Sequence, residues 1–285
     1  MRLRYVLVVL ATCSALYCQN VAQPLTQVEA CRKFKSSVVE VAAGSMRGTG
    51  FIVDPNGWIV TALHVVADPN TLVSRGSISV SLFGHPTQIP AEIVSPLDNL
   101  ARLRDFAILK VAKENLPSLV FGNEVDVEEG SPIAIIGLPL SATFGAASNS
   151  VPPFCLTGSI AAKTSLALGN LQFRKIIYFQ GVSVKGISGA PIILLQTGKV
   201  IGIVSTKLTG IGPALDDLRK NTSAGGDVQI IGTEGNQFGL GSSFTSVINV
   251  LDDQLANGLG SGTGASDVAV ALNEAKRAYK QTRPN

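Results

Sequence analysis

Two histidines and four cysteines are nearly all that this 285-residue chain offers to a soft metal ion, and no two cysteines stand as Cys-x-x-Cys. A structural zinc site is therefore not expected, nor any cofactor. Charge is scarce too. Charged side chains make up 15% of the residues, 23 basic against 20 acidic. The first 22 residues hold two of the basic ones and no acidic one, so the remainder carries 21 against 20. Nothing in that balance selects a polyanion, and nucleic acid is not an expected partner. The apolar run from Tyr5 to Tyr17 follows the basic start Met1-Arg2-Leu3-Arg4. It is too short and too weakly flanked to span a bilayer and reads as an export signal. Two processing routes fit: removal after Asn20-Val21-Ala22, or cleavage before Cys13 with lipid anchoring there, although Thr12 is larger than the residue usual at that place. By either route the mature part works outside the cytoplasm, secreted or periplasmic, with no transmembrane span left after processing.

What is present is a hydrophobic fraction of 46%, ample for a packed core, so disorder is excluded. Only Cys31 and Cys155 survive ordinary processing. They either pair in an oxidising compartment, where closing so long a loop would stabilise the fold by about 4 to 5 kcal/mol at most, or remain separate thiols.

From Lys35 to Leu119, and again from Pro132 to Val250, short runs of Val, Ile, Thr and Phe alternate with Gly, Pro, Asn and Asp. That punctuation predicts many strands and few helices. Phe51 to Val53 and Trp58 to Thr61 flank Asp54-Pro55-Asn56-Gly57, a hairpin turn with proline to preset one position and glycine to accept positive φ. Further strands are expected at Ser77 to Leu82, Phe106 to Val111, Ile133 to Ile136, Ile176 to Gln180, Pro191 to Leu195 and Val200 to Thr206. Their number favours two closed sheets or barrels, residues 35–125 and 126–256, after a signal peptide (1–22) and an N-terminal segment (23–34). Leu140 to Leu156 reads as a long loop. A helix capped by Ser246 would carry Val247, Val250, Leu251 and Leu255 on one face. The run Gly258-Leu259-Gly260-Ser261-Gly262-Thr263-Gly264 is then expected as a flexible link, and residues 257–285 as link plus helical tail. Val268, Leu272, Ala275 and Tyr279 recur at helical spacing, so the tail should dock on the body of the protein.

A serine hydroxyl attacks at neutral pH only if a base takes its proton, and a histidine of ordinary pKa, about 6.5, suits that task. His64 closes Thr61-Ala62-Leu63-His64. Asp105 stands just ahead of the apolar strand Phe106-Ala107-Ile108-Leu109-Lys110-Val111, where a carboxylate can orient an imidazole. Alternatively it is a surface aspartate paired with Arg102 or Arg104, and Asp98 is a rival orienter. Ser188 lies in Gly186-Ile187-Ser188-Gly189-Ala190-Pro191, where glycines let backbone N–H groups converge as an oxyanion hole, with Gly186 and Ser188 as donors.

In the order His64, Asp105, Ser188 these segments resemble the trypsin-like (chymotrypsin-fold) serine proteases, most closely the HtrA/Deg type. Five stretches carry the resemblance. They are Gly48-Thr49-Gly50-Phe51-Ile52-Val53 with Thr61 to Val66, Arg104 to Lys110, Ile135-Ile136-Gly137-Leu138-Pro139, Gly186 to Pro191, and Val200-Ile201-Gly202-Ile203-Val204-Ser205. The resemblance runs from Val38 to Leu255. It implies an all-β fold of two packed six-stranded β-barrels with a C-terminal helix, the histidine and aspartate on the first barrel and the serine on the second. It also implies a pocket floor near Val182 and Ser183 and a cleft edge at Ser205, Thr206 and Lys207. No acid occupies those places, so a small or medium apolar side chain is the expected preference. Lys207 or Lys185 would instead attract an acidic one, unless both are simply solvated. Ile187 replaces the aspartate that pairs with a new N-terminus in some of these enzymes, so that activation route is not expected, and a latent resting state stays open. The chain ends soon after Leu255, so the peptide-binding PDZ domain of many HtrA/Deg proteins is not expected either.

The leading function is an exported serine endopeptidase acting on proteins or peptides through an acyl-enzyme. The alternatives are a latent or inactive relative that binds peptides or acts as a chaperone, and an esterase-like acyl hydrolase, although the triad order is not that of α/β-hydrolases. Nothing in the chain sets an oligomeric state.

Overall fold

The computed structural model describes residues 23–85, 87–138, 152–168, 171–181, 184, 186–207, 229–231, 237–239 and 258–282. The export segment, Cys13, and the helix expected after Ser246 lie outside them. In the described part, α1 (Gln27–Phe34) starts in a capping box: Thr26 Oγ1 accepts the Glu29 N–H, and Glu29 Oε2 accepts the Thr26 N–H. Strands β1 (Val38–Ala43), β2 (Met46–Asp54) and β3 (Trp58–Thr61), the short α2 (Leu63–Val66), β4 (Ile78–Leu82), β5 (Gln88–Ile93), α3 (Asn99–Arg104) and β6 (Ala107–Val111) follow. The strands close into a barrel in the order β1-β2-β3-β6-β5-β4. Its interior is aliphatic, with Val39, Val41, Ile52, Ile59, Val80 and Leu109 fully or almost fully enclosed.

The second barrel is built from β7 (Pro132–Gly137), β8 (Phe154–Leu168), β9 (Leu171–Gly181), β10 (Pro191–Leu194) and β11 (Lys199–Lys207), with β14 (Gly258–Gly264) as the sixth strand, in the order β10-β11-β14-β9-β8-β7. Two short strands, β12 (Gln229–Ile231) and β13 (Gln237–Gly239), pair with each other. The chain ends in α4 (Ala265–Thr282). The two six-stranded barrels and C-terminal helix are those the sequence resemblance implied. Every strand expected from residue pattern is present, and the hairpin at Asp54 to Gly57 forms with the Gly57 N–H bonded to the Asp54 carbonyl at 3.1 Å.

One expectation is corrected. Gly258–Gly264 is not a flexible link but the strand that closes the second barrel, hydrogen-bonded to β11 on one side and β9 on the other. The glycines are there for close approach. The ring of Phe179, completely buried, lies over Gly260, where a methyl group would come within 2.6 Å of Cε2. The loop expected over Leu140 to Leu156 is also shorter at its end, since β8 begins at Phe154.

A third apolar cluster sits between the barrels. Phe51, Trp58, Val60 and Ile108 from the first meet Ile136, Ile193, Val200 and Ile203 from the second, and α4 adds Val268, Leu272 and Ala275. The amphipathic tail therefore docks on the body, as its spacing predicted. Tyr279 meets Trp58 edge to face with centroids 5.5 Å apart, and Lys276 Nζ reaches Asp54 at 2.5 Å. Cys31 on α1 is disulfide-bonded to Cys155 on β8, with Cα atoms 5.8 Å apart across 124 positions of sequence. Of the two readings left open for these cysteines, the structure takes pairing.

Candidate active site

Two successive caps bring Asp105 to its place. Asp98 Oδ1 accepts the Ala101 N–H at 2.8 Å and starts α3, so its carboxylate serves as a helix cap. Asp105 ends the same helix in the left-handed region (φ 50°, ψ 51°), its own N–H bonded to the Ala101 carbonyl at 2.8 Å. That region is uncommon for any residue but glycine, and aspartate is among those that tolerate it. The turn aims the carboxylate at His64. Oδ2 lies 3.0 Å and Oδ1 3.1 Å from His64 Nδ1, and Oδ1 also accepts the His64 backbone N–H at 3.2 Å. Asp105 is thus neither a surface partner of Arg102 nor displaced by Asp98. With a carboxylate against Nδ1, the neutral ring carries its proton there and leaves the Nε2 lone pair free to accept one.

His64 is fixed from the other direction as well. It is the second residue of α2, three past the end of β3, and its carbonyl accepts Arg75 Nε at 3.1 Å. The hydroxyl of Ser205, on β11, donates to Asp105 Oδ2. Ser205 had been expected on the cleft edge. Its side chain is 3% exposed and turned onto the carboxylate. The β11–β14 register shifts between Val204 and Thr206, and the bulge leaves Ser205 out of the regular alternation. Thr206 and Lys207 follow on the same strand, with side chains outside the described residues, as are Val182, Ser183 and Lys185.

The serine turn is pinned to the first barrel by one residue. Thr49, fully buried on β2, donates its N–H to the Ser188 carbonyl at 2.9 Å and its hydroxyl to the Gly186 carbonyl at 2.7 Å. The same hydroxyl accepts the Leu138 N–H at 3.0 Å, while the Thr49 carbonyl accepts Thr61 Oγ1 at 2.7 Å. Gly186 and Gly189 both have positive φ, 93° and 88°. At Gly189 a methyl would overlap the Thr49 carbonyl and come within 2.6 Å of Thr61 Oγ1 and 2.7 Å of Ala62 N, two residues before His64. The structure therefore gathers His64, Asp105 and Ser205 by direct contact and presses the Ser188 turn against the segment that carries His64. Among the described residues, no hydrogen bond joins Ser188 to His64.

Sequence reading passed over Thr49 as a pin and Arg174 altogether. Arg174 Nη2 lies 3.4 Å from Ser205 Oγ. Burial pushes its guanidinium below the usual arginine range, and Asp105, Tyr178 and Asp267 pull it back only in part. The adjacent basic residues Arg174 and Lys175, just ahead of the apolar run Ile176 to Phe179, were the available signal. Among the described residues no group of three metal-ligating side chains clusters, and no helix is long and apolar enough to cross a membrane.

A family model for the trypsin-like peptidase domain matches residues 48–203, more than half of the chain, and the chain belongs to that family. It is 34% identical over 169 residues to a protein of Chlamydia pneumoniae named "probable periplasmic serine endoprotease DegP-like", covering 59% of this chain and 30% of that one. To the mitochondrial serine protease HTRA2 of Drosophila willistoni it is 32% identical over 165 residues, covering 57% and 34%. The chain thus spans about a third of the length of these relatives. Among solved structures, the Rv3671c protease of M. tuberculosis, in a form titled inactive, has a TM-score of 0.55 at 20% identity, covering 90% of this chain and 98% of that one. At that identity the likeness shows the fold alone.

Proposed function

We propose that the chain is an exported serine endopeptidase that cleaves protein or peptide substrates through His64, Asp105 and Ser188. The observation that carries this reading is the His64 imidazole held at 3.0 Å by a carboxylate through Nδ1, which leaves Nε2 for a serine proton. In the reaction Ser188 Oγ attacks the scissile carbonyl while His64 Nε2 takes its proton. Asp105 stabilises the imidazolium that results. The Gly186 and Ser188 N–H groups receive the oxyanion, and the Gly186 carbonyl anchored on Thr49 keeps that turn from relaxing. His64 then gives the proton to the leaving amine. Water, deprotonated by the same imidazole, hydrolyses the acyl-enzyme.

Export is supported by the Cys31–Cys155 disulfide, a bond that persists in oxidising compartments, and by the periplasmic name of the chlamydial relatives. A second reading has its own observation. Since Ser188 and His64 make no hydrogen bond, the form described fits a latent enzyme in which the serine turn rotates when substrate binds, or a relative that only binds peptides.

A fluorophosphonate probe on the purified mature protein, beside Ser188→Ala, separates these readings. An adduct mapped to Ser188 and lost in the variant supports the endopeptidase. Labelling only after a peptide is added supports the latent form. An unlabelled protein under both conditions overturns the enzymatic reading in favour of peptide binding.

A further inference from the structure

Among the described residues, Arg174 is the cation drawn into the back of the candidate site, and the role proposed for it rests on the endopeptidase reading. Its Nη2 approaches Ser205 Oγ, Ser205 donates to Asp105 Oδ2, and Asp105 holds His64 Nδ1, so one line of polar contacts runs from guanidinium to imidazole. The cation is not placed there by a strong pair of its own. Among the described residues its Nε is buried with no hydrogen-bond partner, an unfavourable position for a charged donor. Packing alone would be better served by an apolar side chain.

The other charges around this line have other partners. Asp267 on α4 stands 4.0 Å from Arg104, the residue before Asp105, and accepts the Lys175 N–H. Lys175 Nζ is bound to Glu124 at 3.2 Å. Arg75 donates to the His64 carbonyl. Tyr178, four residues along β9, and Asp267 both act on Arg174. Among the described residues, the imidazole and Arg174 are the two groups that share the Asp105 carboxylate, one directly and one through Ser205.

We propose that Arg174 is a positioning residue that, through Ser205, draws on the charge of Asp105 and so lets His64 act as a base at lower pH than the His–Asp pair alone would allow. A carboxylate stabilises an imidazolium, and a nearby cation weakens that stabilisation. Removing the cation should therefore keep His64 protonated to higher pH, raising the acid limb of the reaction. A side chain that mattered only for packing would lower activity at every pH and leave the limb where it was.

The direct test follows the His64 ring by NMR in the full mature chain carrying isotope-labelled histidine. The sequence has two histidines, and His85→Gln identifies the other. Arg174→Gln and Arg174→Met are made in parallel because they tax the fold differently, and either folded variant decides the question. The His64 titration midpoint is expected to rise by about 0.5 to 1 pH unit in the neutral variants, the size of one partly screened charge. It should stay near the wild-type value in Arg174→Lys. An unmoved midpoint in the neutral variants, or a lysine variant that shifts as they do, overturns the proposal. The pH dependence of fluorophosphonate labelling at Ser188 is run beside it and should show the same displacement of its acid limb. A wild-type protein that never labels overturns the endopeptidase reading instead, while the titration still decides whether Arg174 acts on His64.

Discussion

The Ser205 hydroxyl, on the second barrel, donates to Asp105 Oδ2 on the first, so the carboxylate against His64 Nδ1 is held by the barrel that also carries Ser188. A hydrogen bond to a charged group is worth about 1.5 to 3 kcal/mol. If Ser205 serves the imidazolium through Asp105, Ser205→Ala should lower kcat/KM about ten- to hundredfold, mostly in kcat, with little change in the urea midpoint. Steady-state kinetics on a peptide substrate checks this. A change confined to KM would return Ser205 to the cleft edge where the sequence placed it.

Asp105→Asn should be far more costly to turnover and nearly silent to folding. Asparagine tolerates the left-handed backbone that ends α3, so the chain should reach the same place. Its amide then favours the wrong histidine tautomer, and kcat should fall by roughly four orders of magnitude. Circular dichroism and turnover measured on one preparation test both halves. Retained activity would assign the orienting role to another carboxylate, although Asp98 is committed to the cap of α3.

Gly189→Ala is expected to fail structurally. Its backbone lies at φ 88°, and the new methyl would meet the Thr49 carbonyl, Thr61 Oγ1 and Ala62 N, all on or beside the strand that leads to His64. Strain and overlap with backbone together should cost about 3 kcal/mol or more, because neither strand can yield without opening the barrel contact. The urea midpoint should drop accordingly and the Ser188 turn should lose its register on Thr49. A variant of unchanged stability would mean that the two barrels separate there at little cost.

The legible parts of this molecule were those fixed by local chemistry. The turn at Asp54 to Gly57, the carboxylate ahead of Phe106 and the helical spacing of Val268, Leu272 and Ala275 each carry their reason within a few residues. Gly258–Gly264 did not. A glycine-rich run has no apolar alternation to announce a strand, and its conformation is imposed by β9 and β11 on either side and by Phe179 over Gly260. Ser205 was named only for the cleft edge, and its contact with Asp105 was not legible because it depends on the β11 bulge and on a residue 100 positions away. Arg174 went unread because nothing in its own segment marks it, and only the tertiary fold sets it behind Ser205. The Ser188 turn lay between these cases: its glycines were visible, while Thr49, which anchors it, lies 137 positions from Gly186.

Acid should loosen the seat of α4. Glu124, 3% exposed, receives the Ser266 N–H at 2.9 Å and the Ser266 hydroxyl, and pairs with Lys175 at 3.2 Å. Burial pushes its carboxyl up, but the hydrogen bonds from Ser266 and Lys175 outweigh that and hold it below the usual 4.5. In the window between those two values the unfolded chain binds a proton that the folded chain does not, so stability rises with pH there. The contribution is complete above the usual glutamate value and is lost as pH falls through the lowered folded value. Urea midpoints measured from neutral pH downward should fall more steeply below pH 4.5 in wild type than in Glu124→Gln, which is less stable near neutrality and lacks that titration. Parallel curves for the two proteins would mean that Glu124 is protonated alike in both states, and that α4 is seated on Val268, Leu272 and Ala275 without its help.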